Sequence, residues 1–94
     1  MMVIRKFEIK TIGEQNIDVG GAMPTVLSAV AQGDKLILWV QLEEDYPGSF
    51  NLDVLVVGEG VPYKAKDTFV STVVMSDGAV WHVFAKTNYV RADI

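Results

Sequence analysis

The stretch "TFVSTVVMSDGAVWHVFAK", residues 68–86, decides the fold class of this chain. Two runs rich in β-branched and aromatic residues flank the tripeptide Ser76-Asp77-Gly78. An Asp-Gly step between two such runs is the strongest short-range signal of a β-hairpin, because both residues suit the backbone angles of tight turns. We therefore predict strands over residues 68–75 and 79–85, joined by a hairpin.

The same strand periodicity continues outside this hairpin. Apolar and polar side chains alternate near the N-terminus, as they do in half-buried strands. A Gly33-Asp34 step marks a second hairpin, and the glycines, proline and β-branched residues before it favour a strand over a helix. The further predicted strands cover residues 5–10, 15–19, 25–32, 35–42 and 50–57. The sequence thus predicts an all-β fold, a small antiparallel sandwich or barrel of about seven strands with little or no helix.

Length and composition limit the functions that are open to this protein. Its 94 residues suit one domain, for which we expect an ordered core over residues 3–86 and a loosely ordered tail over 87–94. The net charge of −4 comes with scattered rather than clustered basic residues, which argues against DNA or RNA binding. The absence of cysteine excludes disulfides and thiolate metal sites.

The N-terminal residues predict an intracellular protein. Charge appears after four residues, before any apolar segment of signal-peptide length. The apolar runs at 36–40 and 54–57 are far shorter than the roughly 18 residues that cross a bilayer. We expect a cytoplasmic protein without a membrane segment.

Several strands are apolar on both faces. Leu36 and Leu38 would point to one side of their strand, and Ile37 and Trp39 to the other. A domain of this size has one core, so something must cover the second face. Closure of the sandwich would suffice, and self-association is the alternative, with the second faces meeting across a symmetric interface. On this ground we predict a homo-oligomer.

Few residues suit catalysis or metal binding. His82 is the one histidine, and no serine has the surroundings of an activated nucleophile. His82 suits either a structural hydrogen bond or the wall of a pocket. Trp39 and Trp81 suit the core or an interface, and alternatively a stacking platform for a flat ring. We predict no catalytic residue, no metal site and no cofactor.

The connection "GEGVPYKAK", residues 58–66, is the candidate ligand loop. Gly58 and Gly60 would allow backbone amides to converge on an anion, with Tyr63 as a planar surface and Lys64 and Lys66 as phosphate ligands. The pattern is neither a P-loop nor a dinucleotide fingerprint, so an ordinary connection with turns at its glycines and proline is the other interpretation. The predicted ligand-binding residues are Arg5, Trp39, Gly58, Glu59, Gly60, Tyr63, Lys64, Lys66, Trp81 and His82.

Five phrases in this order resemble a family of small proteins from phages and prophages whose domain has no known function. They are "IRKFEI", "LILWV", "VVGEGVP", "FVSTV" and "GAVWHVF", between about residue 3 and residue 85. The family shows a Gly-Thr-Gly-x-Pro loop and a Trp-His-Val-Phe end. The matching positions are Lys6, Phe7, Trp39, Gly58, Gly60, Pro62, Trp81, His82, Val83 and Phe84. Glu59 departs from the threonine of that loop, and Val61 from a frequent histidine, so hydroxyl or imidazole chemistry is lost there.

The resemblance implies a phage context. Small oligomeric β-proteins of phages resemble, in general style, the sponge proteins that sequester nucleotide immune signals of the Thoeris and CBASS type. By this analogy we expect a non-enzymatic anti-defence protein in the host bacterial cytoplasm, binding a nucleotide-derived signal between subunits. A module that inhibits a host defence protein, or a virion accessory protein, is the alternative.

Overall fold

Seven antiparallel strands form two sheets that pack face to face. A computed structural model of the chain describes residues 1–11, 13–64 and 67–91. The strands are β1 (Met2–Ile9), β2 (Gly13–Gly21), β3 (Met23–Gln32), β4 (Lys35–Glu43), β5 (Ser49–Gly58), β6 (Thr68–Val74) and β7 (Val80–Arg91). The order is β1-β4-β3 in the three-stranded sheet and β2-β5-β7-β6 in the four-stranded sheet. The predicted all-β class with seven strands is confirmed, and the described residues contain no helix that could cross a membrane.

Both predicted hairpins are present. Gln32 pairs with Lys35 across a two-residue turn, in which Gly33 takes a φ of 63°. In the β6–β7 hairpin the Met75 N–H donates to the Ala79 carbonyl at 2.8 Å. The Asp77 carboxylate accepts the Ala79 N–H at 2.9 Å, which explains the aspartate in this turn.

Strand β7 is longer than its sequence pattern indicates. The prediction ended the strand at residue 85, whereas β7 continues to Arg91. The added residues 87–89 pair with Leu52, Asn51 and Phe50 of β5, so backbone hydrogen bonding extends a strand that lacks a clear alternation. Residues 92–94 of the predicted tail lie outside the described residues.

The core lies between the two sheets and is apolar. From the three-stranded sheet it receives alternate residues of β4, among them Leu38 and Val40, both fully buried. From the four-stranded sheet it receives Leu52, Val54 and Val83. No polar side chain among the described residues is buried, so hydrophobic contact is the main stabilising term of the sandwich.

The second face of β4 is covered by the chain's own side chains. Ile37 points away from the core, yet only 3% of it is exposed. Lys6 on β1 donates a hydrogen bond to Gln32 on β3 at 3.1 Å. Lys6 is paired with Trp39 of β4 and Gln32 with Lys35, so this bond crosses the outer face of β4 at the level of Ile37, which lies between them. The aliphatic stem of Lys6 thus covers apolar surface while its charged end stays in water.

The two long sides of the sandwich differ. Strands β3 and β6 lie side by side, so the sheets close on each other along that edge. On the opposite side the edge strands β1 and β2 do not approach each other closely. The sandwich is therefore closed on one side and open on the other.

Candidate functional site

The outer face of the four-stranded sheet carries a second apolar cluster, separate from the core. Leu55, Val57 and Phe84 form it and are nearly buried, although they point away from the other sheet. Strand pairing places Leu55 beside Phe84 and Phe84 beside Phe69, in one row across β5, β7 and β6. An apolar row on an outer sheet face needs a cover, and here the cover comes from the loop after β5.

The loop folds back over this face. A turn closes its first part, with the Val61 N–H donating to the Gly58 carbonyl at 3.2 Å, and Gly60 supplies a φ of 74° that favours glycine. The ring of Tyr63 then lies 5.0 Å from the ring of Phe84, measured between centroids. The loop that the sequence offered as a ligand loop or a connection is thus also the cover of the outer face.

Three aromatic rings meet at this point. Phe69 approaches Phe84 at 5.5 Å in an edge-to-face arrangement, so Phe84 contacts both other rings. The rings of Tyr63 and Phe69 remain half exposed, and so does Val61. We call the group the aromatic surface and define it as Val57, Val61, Tyr63, Phe69, His82 and Phe84. With Gly58 and Gly60 it lines an open concavity of about 390 Å³.

His82 stands at one end of the aromatic surface. Its Nδ1 lies 2.9 Å from the Thr72 hydroxyl on the neighbouring strand β6. This contact holds the imidazole plane in place, and His82 also lines the concavity. Both interpretations of His82, a locally hydrogen-bonded residue and a pocket wall, therefore describe the same side chain.

The other end of the aromatic surface meets a polar network. The Asn16 side-chain amide donates to the Asp53 carboxylate at 2.9 Å and to Oδ1 of the Asn51 side chain at 3.0 Å. Asn88 also donates to Asn51, so these side chains are joined across β2, β5 and β7. Lys86 pairs in register with Asp53 on the same face. The outer face thus offers an apolar ring platform bordered by hydrogen-bonding groups, an arrangement that suits a flat ring with polar substituents.

Several predicted ligand-binding residues come together here. Gly58, Gly60, Tyr63 and His82 all line the concavity. Glu59 lies exposed in the turn between the two glycines, and Lys64 is exposed directly after Tyr63. Lys66 lies outside the described residues.

The remaining predicted residues lie elsewhere. Trp81 has the parity of Val83 and packs against the core, on the inner face of β7. Trp39 is half-buried on the outer face of the three-stranded sheet, and Arg5 lies on β1 of that sheet. The core separates both from the aromatic surface, so the structure does not bring them to the predicted loop.

Trp81 nevertheless explains why residue 58 is a glycine. Gly58 pairs with Trp81 across β5 and β7. A Cβ atom at position 58 would lie 3.3 Å from Trp81 Cζ3 and 3.5 Å from Val61 Cγ2. Gly58 therefore makes room for the indole ring and the loop.

Phe69 and Phe84 are the site residues that the sequence reasoning missed. A register shift between Phe69 and Ser71 leaves Val70 as an extra residue in β6. Without this bulge Phe69 would share the inward parity of Ser71 and Val73, and with it Phe69 faces outward beside Phe84. The sequence did contain a signal for this contact. Phe69 and Phe84 lie at nearly the same distance along the chain from the Asp77-Gly78 turn, one on each strand of the hairpin.

Comparison with known proteins identifies the family of this chain. Residues 1–92 match the model of a domain of unknown function (DUF7352), and the chain belongs to that family. No curated protein and no solved structure matches it significantly. In the described part of the chain, no group of three or more histidine, aspartate or glutamate side chains is arranged to hold a metal ion.

Proposed function

We propose that this protein binds a small nucleotide-derived signal on the aromatic surface without converting it. The observation that carries the proposal is the meeting of the half-exposed Tyr63 and Phe69 rings around Phe84 on an outer sheet face. A heterocyclic base stacks favourably on such rings, with about 1–3 kcal/mol per base. The resemblance to phage proteins extends the proposal to an anti-defence role in the host bacterial cytoplasm, where sequestration of the signal would blunt immunity.

The groups around the rings suit the polar parts of such a ligand. His82 is held by Thr72 and offers a ring nitrogen at the rim. Lys64 follows Tyr63 directly and is exposed, which suits a phosphate at the edge of the stacked base. Glu59 lies in the same loop and disfavours a ligand with many negative charges, so a ligand with one or two phosphates fits best.

Titration calorimetry against a panel of cyclic nucleotides and ADP-ribose derivatives tests the proposal. We expect saturable binding of at least one member and no chemical change in the recovered ligand. Phe69→Ala should weaken binding about tenfold or more, because it removes one of the rings of the aromatic surface on which the base would stack. Tyr89→Ala is the matched control, since Tyr89 and Phe69 are 60% and 54% exposed and each packs edge-to-face against a phenylalanine. An absence of heat from every member of the panel would refute the proposal.

A protein-interaction module is the second candidate. It is favoured by the contiguous exposure of Val61, Tyr63 and Phe69, because exposed apolar patches often mark protein interfaces. A pull-down from host lysate separates the candidates. A stoichiometric protein partner that Phe69→Glu releases supports this module, whereas a ligand-sequestering protein should recover none.

A further inference from the structure

A second concavity lies on the open side of the sandwich, away from the aromatic surface. Between the diverging edges of β1 and β2 there is a cavity of about 640 Å³. This volume is within the range of roughly 300–1,000 Å³ that ligand pockets occupy, and it far exceeds the space of one water molecule. Its walls include Arg5, Phe7, Asp18, Glu44, Tyr46 and Arg91.

Arg5 is the unusual residue of this cavity. The inward positions of β1 are Val3, Arg5, Phe7 and Ile9, as their pairing with the buried side of β4 shows. Arg5 is paired with Val40, which is fully buried, yet Arg5 itself stays exposed because the sheets diverge beside it. A guanidinium group thus extends from a core-facing position into an open cavity.

The guanidinium of Arg5 is available to a ligand. Among the described residues the Arg5 side chain takes part in no hydrogen bond or ion pair, although its backbone pairs with Val40 of β4. Its planar fork of N–H donors matches a carboxylate or phosphate group in two parallel hydrogen bonds. The neighbouring walls, Phe7 and Tyr46, offer ring surface to the apolar part of such a ligand.

The other charges of the cavity limit the charge of the ligand. Arg91 adds a second positive group, while Asp18 and Glu44 are negative. The Asp18 carboxylate already accepts the Gly20 N–H at 2.8 Å. Because two carboxylates line the cavity, an ion with several negative charges would be repelled, and one negative charge can be matched by Arg5.

We propose that the cavity beside Arg5 binds a singly charged organic anion, whose carboxylate or phosphodiester group is held by the Arg5 guanidinium and whose apolar part contacts Phe7 and Tyr46. This site is separate from the aromatic surface and does not depend on the function proposed for it.

Amide chemical-shift titrations of the full chain test this proposal. The probes are phenylacetate and methyl phenyl phosphate, with neutral phenylacetamide and cationic phenethylamine for comparison. We expect saturable shifts at Gly20, Gly21 and Gly48, which line the cavity, with one or both anions and not with the neutral or cationic probe. The relative affinity of the two anions distinguishes a carboxylate from a phosphodiester ligand.

Two variants of neighbouring residues provide the control. Arg5→Gln and Lys6→Gln each remove one positive charge from β1, but Lys6 lies on the outer face, over Ile37. We expect Arg5→Gln to weaken anion binding about tenfold or more, as the loss of a charge-assisted hydrogen bond does, and Lys6→Gln to leave it nearly unchanged. Three outcomes would overturn the proposal and leave Arg5 with a role in protecting the strand edge. They are an anion affinity of Arg5→Gln equal to that of the wild type, binding of phenylacetamide as tight as that of the anions, and no saturable shift with either anion.

Discussion

The ring of Tyr63 lies 5.0 Å from the ring of Phe84, with an angle of 40° between the ring planes. Through this contact the loop after β5 covers an apolar row that β5 and β7 would otherwise expose to water. The contact also places Tyr63 beside His82 and Phe69 in one concavity. One pair of rings thus both stabilises the outer face and forms the candidate binding surface.

Removal of the Tyr63 ring should destabilise the fold. We expect Tyr63→Ala to lower the free energy of unfolding by about 1–2 kcal/mol, because an aromatic pair is lost and Leu55 and Val57 lose part of their cover. Urea denaturation measures this change. Tyr63→Phe keeps the ring and should stay within about 0.5 kcal/mol of the wild type. If both variants were equally stable, the loop would not be packed on the sheet.

Alanine and asparagine should affect the stability of the protein in opposite orders at positions 58 and 60. At Gly58 the constraint is space, because a Cβ atom would lie 3.3 Å from the Trp81 ring. A larger side chain should therefore cost more, with Gly58→Asn less stable than Gly58→Ala. At Gly60 no atom lies within 4 Å of the added Cβ, and the constraint is the φ of 74°.

Asparagine tolerates positive φ better than alanine does, so Gly60→Asn should be more stable than Gly60→Ala. Each difference should be about 0.5–1 kcal/mol in thermal or urea unfolding. Trp81 fluorescence should shift in the Gly58 variants only, since that ring contacts position 58. The same order of alanine and asparagine at both positions would contradict this interpretation.

Leucines of the core and of the edge should differ strongly in their contribution to stability. Leu52 is 0% exposed in the core, whereas Leu27 is 48% exposed on β3. We expect Leu52→Ala to lower the free energy of unfolding by about 2–5 kcal/mol, through lost burial and the cavity left behind. Leu27→Ala should cost less than about 1 kcal/mol. Comparable midpoints of urea unfolding for the two variants would be inconsistent with this core.

Self-association remains a prediction. We expect it at the rim of the aromatic surface, so that the concavity lies at the boundary between two subunits, where the ligand is expected from the sequence. The second faces of β4 and β5 are partly covered within the chain, but Val61, Tyr63 and Phe69 stay half exposed. We expect light scattering to give a mass at least twice 10.3 kDa, with Phe69→Glu returning the protein to a monomer because a buried charge opposes the interface. A monomer in dilute buffer for the unaltered chain would remove the prediction.

Local chemistry made much of the fold predictable. The Asp77-Gly78 and Gly33-Asp34 turns and the alternating segments each depend on neighbouring residues alone, so the strands and hairpins could be located from the sequence. The loop from Gly58 to Tyr63 could be chosen as a candidate site for a similar reason, since its glycines and aromatic residue are adjacent in the chain. The end of β7 could not be predicted, because residues 87–89 are held by pairing with a distant strand.

The sequence by itself determined that this protein is all-β, with about seven strands and an apolar interior, and left a sandwich and a barrel both open. Only the tertiary structure decided which side each key residue faces. The bulge at Val70 turns Phe69 outward to Phe84, Trp81 turns inward to the core, and Arg5 extends into a cavity on the open side. The physical reason is that a shift of one residue in register exchanges the two faces of a strand, and the register depends on packing between strands far apart in the chain.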